Sequence, residues 1–187
     1  MGTHNGIVCA VYATPDVARF ETCGAGSLTV DLQGIPGDRH YGFIRPAGAR
    51  EPWFKRGEII RSGRQISLVS AEELARIAQI MDVPQIDPGW IGANVLISGI
   101  ADFTRLAWGS RLFFGEGAVL VNEGENVPCR YAGAAIARHY PDRPDLDRAF
   151  VKAAKHLRGI VASVERAGDI TPGPLLIKCP TGRNAGV

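Results

Sequence analysis

Short apolar runs, separated by glycine- and proline-rich turns, dominate the hydrophobic pattern of the chain. Residues 5–13 (NGIVCAVYA) predict a first strand, and residues 27–33 (SLTVDLQ) alternate between apolar and polar positions as a half-buried strand does. Residues 110–122 predict two strands joined around Gly115-Glu116-Gly117, which is a hairpin signal. Further strands are predicted at residues 65–69, 93–98, 160–165 and 175–178. The pattern therefore indicates that short strands make up most of the regular structure.

Three other segments have the period of an amphipathic helix. Residues 71–83 follow Ser70, and Glu73 stands three positions later, which is the pattern of a capping box. The apolar side chains predicted to be buried on this helix are Leu74, Ile77 and Ile80. A second helix is predicted at residues 131–140, with Pro128 in its first turn and Asn126 or Val127 as its cap, and a third at residues 145–157.

The order of these elements restricts the fold. The sequence shows no βαβ alternation and no Gly-x-Gly-x-x-Gly fingerprint of a dinucleotide-binding domain. We therefore predict an α+β, mainly β fold, in which a barrel-like and largely antiparallel sheet carries about three peripheral helices.

Composition favours one soluble globular domain spanning residues 1–187. The chain is 45% hydrophobic and 21% charged, as is usual for such proteins. Its net charge of +2 is too small to indicate nucleic-acid binding, and no RNP-like or helix-turn-helix pattern accompanies it. The N-terminal segment lacks the basic region of a signal peptide, and no stretch is long enough to span a bilayer. We expect a cytoplasmic protein without membrane contact; the sequence leaves its oligomeric state open.

The four cysteines are scattered, with no C-x-x-C pair and no zinc spacing, so reduced thiols are expected. Cys9 and Cys23 lie without a polar cluster nearby, and we predict that both are buried packing residues. Cys129 differs because it lies between a polar turn and the start of the second predicted helix. Amides at a helix N-terminus, together with the adjacent Arg130, favour its thiolate, which is a nucleophile and a soft metal ligand. The alternative is that Cys129 is a small buried apolar residue.

A glycine-flanked turn, Gly34-Ile35-Pro36-Gly37-Asp38-Arg39-His40-Tyr41-Gly42, is a second candidate site. Glycines permit tight turns and the close approach of a ligand, and the planar guanidinium of Arg39 suits phosphate or another oxyanion. Asp38 could orient either Arg39 or His40. The alternative is a polar turn with an internal Asp–Arg pair.

Residues 45–64 form a long irregular stretch in which Trp53-Phe54 is surrounded by cations. These cations are Arg45, Arg50, Lys55, Arg56, Arg61 and Arg64. The length of the stretch favours a functional flap over a site, and the alternative is a solvated basic loop.

Six segments, in this order, resemble the MOSC domain, the family named for the C-terminal domain of molybdenum cofactor sulfurase. They are GIPGDRHYG (34–42), RQISLVSAEEL (64–74), GANVLISGI (92–100), LAWGSRLFFGEGAVLVN (106–122), VPCR (127–130) and HLRGIVASVERAGDITPG (156–173). The resemblance covers roughly residues 28–178 and is greatest to the stand-alone bacterial members.

The resemblance implies a β-rich barrel whose pocket binds a molybdenum cofactor (molybdopterin), or handles sulfur bound for a metal site, through one cysteine that matches Cys129. In molybdenum-containing relatives such as the amidoxime-reducing proteins, the matching cysteine ligates the metal. Arg39 falls at the Gly-Asp-Arg position of the family, and other matched motifs line the same pocket. The predicted cofactor-binding residues are Asp38, Arg39, His40, Arg64, Ser67, Asn94 and Arg130.

Three functions remain open at this point. In the first, Cys129 ligates molybdenum or carries a persulfide; a pyridoxal-phosphate-dependent cysteine desulfurase would then be a separate partner, because this chain is too short to contain one. The second is a molybdenum-dependent reductase of N-hydroxylated substrates, which needs a redox partner because the chain has neither an Fe–S cysteine cluster nor a haem motif. The third is a non-catalytic barrel that binds an anion through residues 45–64.

Overall fold

The computed structural model describes residues 2–14 and 16–180. The strands in this part of the chain are β1 (Thr3–Ala13), β2 (Cys23–Ala25), β3 (Leu28–Val30), β4 (Ile44–Pro46), β5 (Ile59–Arg61), β6 (Ile66–Ser70), β7 (Val95–Ser98), β8 (Arg111–Phe114), β9 (Val119–Glu125), β10 (Ile160–Arg166), β11 (Gly168–Ile170) and β12 (Gly173–Lys178). The α-helices are α1 (Ala71–Met81), α2 (Arg130–Ala137) and α3 (Leu146–Ala153), and two short 3-10 helices cover Pro88–Ile91 and Phe103–Arg105.

Seven of these strands close into a barrel. Their order is β12-β8-β9-β10-β6-β7-β1, and the pairing of β1 with β12 closes the ring. Each neighbouring pair is antiparallel except β6 and β7, which are parallel. Strand β2 extends the sheet beyond β1, whereas β3–β11 and the β4–β5 hairpin form separate two-stranded sheets. The prediction of a mainly β, largely antiparallel barrel with three α-helices is confirmed for the described residues.

Two apolar cores follow from the alternation of side chains along the central strands. Leu68 of β6 and Val95 of β7 belong to the core inside the barrel. Their neighbours Val69 and Leu96 belong instead to a second core, between the outer face of these strands and the helices. The helices therefore cover one side of the barrel, and none of those in the described ranges has the length and apolarity to cross a membrane.

Helix α1 buries a stripe that differs from the predicted one by one residue. Leu74, Ile77, Ala78 and Met81 are buried, at the spacing of i, i+3, i+4 and i+7. Ile80 lies beside this stripe and is 57% exposed, so the prediction that it is buried was wrong. Ala78 and Met81 complete the stripe because they continue the face of Leu74, whereas Ile80 is rotated away from it.

Cys9 and Cys23 are exposed, and the prediction that they are packing residues was wrong. The apolar run of β1 suggests burial on both faces, but Ile7 is also 56% exposed, because this face of β1 is not covered by the helices. An irregularity in the β1–β7 pairing between Val8 and Ala10 keeps Val8 and Val11 inside the barrel. The Cys9 thiol lies outside, where it donates to Ser98 Oγ at 3.1 Å.

Candidate functional site: an arginine-lined cavity at Cys129

A cavity of about 510 Å³ lies between strand β6, the C-terminal end of β9, the N-terminal end of β10 and the start of helix α2. Its volume is typical of small-molecule sites. Four arginines line it: Arg39, Arg50, Arg64 and Arg158. Among the residues of the described ranges that line the cavity there is no carboxylate. The cavity therefore suits an anion.

Cys129 reaches the cavity from the start of α2. It is the N-cap residue of that helix, with extended backbone angles (φ −137°, ψ 160°), and its carbonyl accepts the hydrogen bond of Gly133 N at 3.3 Å. The predicted cap at Asn126 or Val127 was wrong, because the Asn126 side chain is used inside the cavity. The thiol is half-buried, so it is held by the protein while one side faces the cavity.

Asn126 connects the strand that leads to Cys129 with both walls of the cavity. Its backbone amide donates to Gly159 O at 2.8 Å, and its side-chain amide donates to Ser67 Oγ at 3.0 Å. Its Oδ1 accepts from Arg50 Nη1 at 3.4 Å and from Arg64 Nη2 at 3.3 Å. Two guanidinium groups thus converge on one neutral oxygen, and Glu51, the acid that acts on Arg64, is already paired with Arg45.

Burial and mutual repulsion act on the two innermost arginines. Burial lowers the pKa of Arg64 to about 10, with repulsion from Arg50 and Arg45 adding to the effect. Burial also lowers the pKa of Arg158 to about 10; the nearby Cys129 opposes the shift, and Arg50 and Arg64 add to it. Both side chains remain cationic at neutral pH, so the electrostatic cost of placing them together is present in the folded protein.

Arg158 is the most deeply buried of the four arginines and is only 4% exposed. Its Nη2 donates to Ile91 O at 2.6 Å, whereas its buried Nη1 has no hydrogen-bond partner. Buried polar groups are normally paired, so the unpaired N–H of a side chain that lines the cavity marks Arg158 as a candidate contact for a ligand oxygen. Sequence analysis missed Arg158 as a site residue, although it lies in the HLRGIVASVERAGDITPG segment (156–173) that carries part of the family resemblance.

Asp38 positions His40 and not Arg39. The Asp38 carboxylate is buried and accepts from His40 N at 2.8 Å and from Thr14 Oγ1 at 2.6 Å, and its Oδ1 lies 3.1 Å from His40 Nδ1. Burial raises the pKa of Asp38, but the hydrogen bonds from His40 and Thr14 outweigh burial, and its pKa lies below the ordinary value. Asp38 thus lies behind the cavity wall. His40 and Arg39 are both part of the wall, and the Arg39 side chain is exposed.

Asn94 also lies behind the wall. Its Oδ1 accepts from the backbone amide of Ser67 at 3.0 Å, and its Nδ2 lies 3.5 Å from Asp38 Oδ2. Asn94 is 2% exposed, so it fixes the position of Ser67 without facing the cavity.

Arg130 is not part of the cavity wall, although it was predicted as a site residue. Its side chain is exposed and forms an ion pair with Asp147 at the start of α3. The reason is helical geometry: Arg130 is the first residue of α2, and the turn of the helix directs it away from the Cys129 thiol. Helices α2 and α3 touch here, since a Cβ at Gly133 would lie 2.3 Å from Asp147 O.

In the basic stretch at residues 45–64, one part lines the cavity and another part is a solvated loop. It contains the β4–β5 hairpin, and it brings Arg50 and Arg64 into the cavity wall. Arg45 is paired with Glu51 at 2.6 Å, whereas Lys55 and Arg56 near the tip are exposed. Only part of the stretch is therefore a solvated basic loop.

The donor set fits an anionic cofactor that brings most of its own metal ligands. The described residues include no group of three or more His, Cys, Asp or Glu side chains that could hold a metal ion by themselves. One thiol and four guanidinium groups, one of which has an unpaired buried N–H, are the groups that a molybdenum cofactor would need: a soft ligand for the metal and cations for its phosphate.

Comparison with known proteins identifies the family of the chain. The model of the MOSC domain family matches residues 37–175. The YuaD protein of Bacillus subtilis (strain 168), whose name provisionally assigns it to metal-sulfur cluster biosynthesis, is 51% identical over 158 residues, which is 84% of this chain and 82% of YuaD.

Solved structures show the same fold. The crystal structure of YuaD from Bacillus subtilis matches with a TM-score of 0.92 and 45% identity, over 96% of this chain and 99% of that one. YiiM from Escherichia coli matches with a TM-score of 0.60 and 16% identity, over 94% of this chain and 71% of that one, so it shares the fold. The family match covers most of the chain and includes Cys129, Arg39 and Arg158. This chain belongs to the MOSC domain family.

Proposed function

We propose that this protein binds a molybdenum cofactor or carries sulfur for a metal site, with Cys129 as the metal ligand or the persulfide-bearing residue. The observation that carries the proposal is the position of the half-buried Cys129 thiol in a cavity lined by four arginines. Membership of the MOSC family and the name of the Bacillus subtilis relative support a role that involves molybdenum or sulfur.

The side chains divide into two groups with different tasks. The Cys129 thiolate is soft and suits both molybdenum and sulfane sulfur. Arg39 at the exposed part of the wall binds the phosphate of the pterin, because a planar guanidinium offers two parallel N–H groups to an oxyanion. The molybdenum cofactor supplies the redox and sulfur chemistry when it is bound; the chain supplies the thiol and the charges that hold it.

Sulfur loading of Cys129 needs a donor but no additional oxidant. The thiolate attacks the terminal sulfur of a donor persulfide, a new S–S bond forms on Cys129, and the donor leaves as a thiolate with the electron pair of the bond that breaks. A pyridoxal-phosphate-dependent cysteine desulfurase, which carries such a persulfide, is the class of partner that we propose.

The test compares the wild-type protein with Cys129→Ser, both produced in a host that makes the molybdenum cofactor. We expect the variant to lose molybdenum and pterin, or persulfide label after incubation with a donor, because a serine hydroxyl is neither an anion at neutral pH nor a soft ligand. Elemental analysis, pterin fluorescence and persulfide labelling measure loading, and the thermal midpoint of the ligand-free proteins measures folding.

Cys9→Ser is the matched control, since Cys9 is an exposed thiol of the same chain. It should load as the wild type does. If Cys129→Ser loads normally and its thermal midpoint falls sharply, Cys129 is a packing residue and the proposed function is wrong.

A further inference from the structure

Arg50, Arg64 and Arg158 form a guanidinium cluster next to Cys129. Arg50 and Arg64 both donate to Asn126 Oδ1, at 3.4 and 3.3 Å, and Asn126 is three residues before Cys129. Arg158 is coupled electrostatically to Cys129 and to both of the other arginines. Among the described residues that line the cavity, no acid balances these charges.

The cluster has an unfilled hydrogen-bonding position. Only 4% of the surface of Arg158 is exposed, and its Nη1 has no hydrogen-bond partner. Leaving a buried charged donor unpaired costs more than leaving a neutral one, so the protein retains this N–H against a free-energy penalty. Arg64 adds a second buried cation at the same place. Both facts indicate an oxygen-rich dianion as the ligand.

We propose that the guanidinium cluster is a subsite for thiosulfate-type sulfane sulfur donors, in which a tetrahedral sulfonate group carries a terminal sulfur that is transferred to Cys129. This inference rests on the proposed function, since it requires a reactive Cys129. A sulfate or phosphate ion would use only the guanidinium groups. A thiosulfate-type dianion uses the guanidinium groups and the thiol together, because its oxygens and its soft sulfur lie at opposite ends.

The transfer step is balanced without another reactant. The Cys129 thiolate attacks the terminal sulfur of thiosulfate, and the S–S bond of thiosulfate breaks as the new S–S bond forms. Sulfite leaves with the electron pair, and Cys129 is left as a persulfide. The guanidinium groups hold the sulfonate oxygens before the reaction and stabilise the negative charge that accumulates on the leaving sulfite.

The experiment incubates the metal-free protein with thiosulfate and follows two products. Mass spectrometry should show a gain of one sulfur atom on Cys129, and sulfite should be released in equal amount. Arg158→Gln and Arg50→Gln should each slow this loading by roughly 10- to 100-fold, the value of one charge-assisted hydrogen bond. Arg50 is half-buried on the hairpin stretch, so its variant folds even if Arg158→Gln does not. Sulfate should slow loading of the wild type by competition.

Two controls separate the subsite from the general reactivity of Cys129. Arg76→Gln, on an exposed position of α1, should load from thiosulfate at the wild-type rate. Inorganic polysulfide donates sulfane sulfur without a sulfonate group, so Arg50→Gln should lower the rate of loading from thiosulfate relative to the rate of loading from polysulfide.

The outcomes distinguish this inference from the function on which it rests. If polysulfide loads Cys129 and thiosulfate does not, or if thiosulfate loads the arginine variants as fast as the wild type, the subsite does not exist and the proposed function stands. If neither donor loads Cys129 and the protein also takes up no molybdenum, both are wrong.

Discussion

Asp38, which lies behind the cavity wall, makes the stability of the protein depend on pH. Its hydrogen bonds from His40 and Thr14 outweigh the effect of burial and hold its pKa below the ordinary 3.8. A carboxyl group whose pKa is lower in the folded state stabilises the fold above its unfolded pKa, and this contribution is lost as the pH falls through the folded pKa. Asp38 therefore stabilises the protein at neutral pH and ceases to do so in acid.

We predict that Asp38→Asn lowers the free energy of unfolding at neutral pH, and that the difference from the wild type narrows as the pH falls below 3.8. Denaturant titrations at a series of pH values measure this difference. Asp142→Asn, in an exposed loop, serves as the control and should show little difference at any pH. If the difference in free energy of unfolding between the wild type and Asp38→Asn stays constant into strong acid, the lowered pKa of Asp38 is contradicted.

Arg39 allows a test of binding that is separate from folding. Its side chain is exposed and donates a long hydrogen bond, from Nη1 to Arg19 O at 3.4 Å. We predict that Arg39→Ala changes the free energy of unfolding by less than about 0.5 kcal/mol, as exposed substitutions usually do. In an Arg50→Gln background, in which the guanidinium cluster is weakened, Arg39→Ala should lower the affinity for inorganic phosphate, used as a probe for the pterin phosphate, by roughly 10- to 100-fold.

Calorimetric titration with phosphate provides the measurement, and Arg76→Ala is the matched exposed arginine. Equal phosphate affinity of the Arg50→Gln protein with and without Arg39→Ala would remove Arg39 from the site. Arg143 is a poorer control, because its side chain is paired with Asp145 and also donates to the carbonyl of Met81.

At the residue scale, sequence analysis found those residues of the cavity wall that have a local signature. Cys129 follows a polar turn and Arg39 lies between glycines, and both features are visible in a few neighbouring letters. Arg158 comes into the cavity through contacts with residues that are distant in sequence, such as Ile91, and no local pattern encodes them. Arg130 was misplaced because proximity in sequence does not fix direction once a helix begins.

At the scale of elements, α1 supports the cavity through a chain of hydrogen bonds. Buried Glu73 accepts from Thr104 N at 2.9 Å and from Thr104 Oγ1 at 2.6 Å. Thr104 Oγ1 in turn accepts from Gly159 N at 2.7 Å, and Gly159 O accepts from Asn126 N at 2.8 Å. Gly159 thus joins Arg158 to the segment that leads to Cys129.

We predict that Gly159→Ala is strongly destabilising, by more than about 3 kcal/mol. Gly159 has φ of +84°, and a Cβ there would lie 2.0 Å from Leu68 O in the neighbouring strand β6, where the backbone cannot move aside. Gly37→Ala is a matched control, since Gly37 has φ of +83° but open space around its Cβ position. It should show backbone strain alone, about 1–2 kcal/mol.

Urea denaturation of the two variants and the wild type measures both effects. Similar losses of stability in Gly159→Ala and Gly37→Ala would show that the close contact with β6 does not contribute to the destabilisation.

The capping box predicted for α1 illustrates how far local signals extend. Ser70 Oγ does accept from Glu73 N, at 3.4 Å. The reciprocal bond of a capping box is replaced, because the Glu73 side chain turns to Thr104, and Ser70 Oγ donates to Glu72 at 2.6 Å. The sequence signal therefore marks the start of the helix correctly, while the partner of Glu73 is set by tertiary structure.

At the scale of the whole molecule, the sequence predicted a barrel-like, largely antiparallel sheet but not which strands pair to close it. The many short strands and the hairpin at Gly115-Glu116-Gly117 indicate antiparallel pairing between neighbours, and β8 and β9 pair in this way. The pairing of β1 with β12 and the parallel contact of β6 with β7 join segments that lie far apart in the chain. Such pairings depend on long-range packing, for which a single sequence contains no direct signal.

Four cationic side chains around one cavity also affect how quickly a ligand arrives. A concave, low-dielectric surface with charges of one sign focuses the electrostatic field outward and raises the rate of encounter with anions, by roughly 10- to 1000-fold in strong cases. Mobile ions screen this field over about 8 Å at physiological ionic strength, so capture should slow as salt is added, while dissociation from the buried arginines changes little. The cavity is thus selective for anionic ligands before any contact is made.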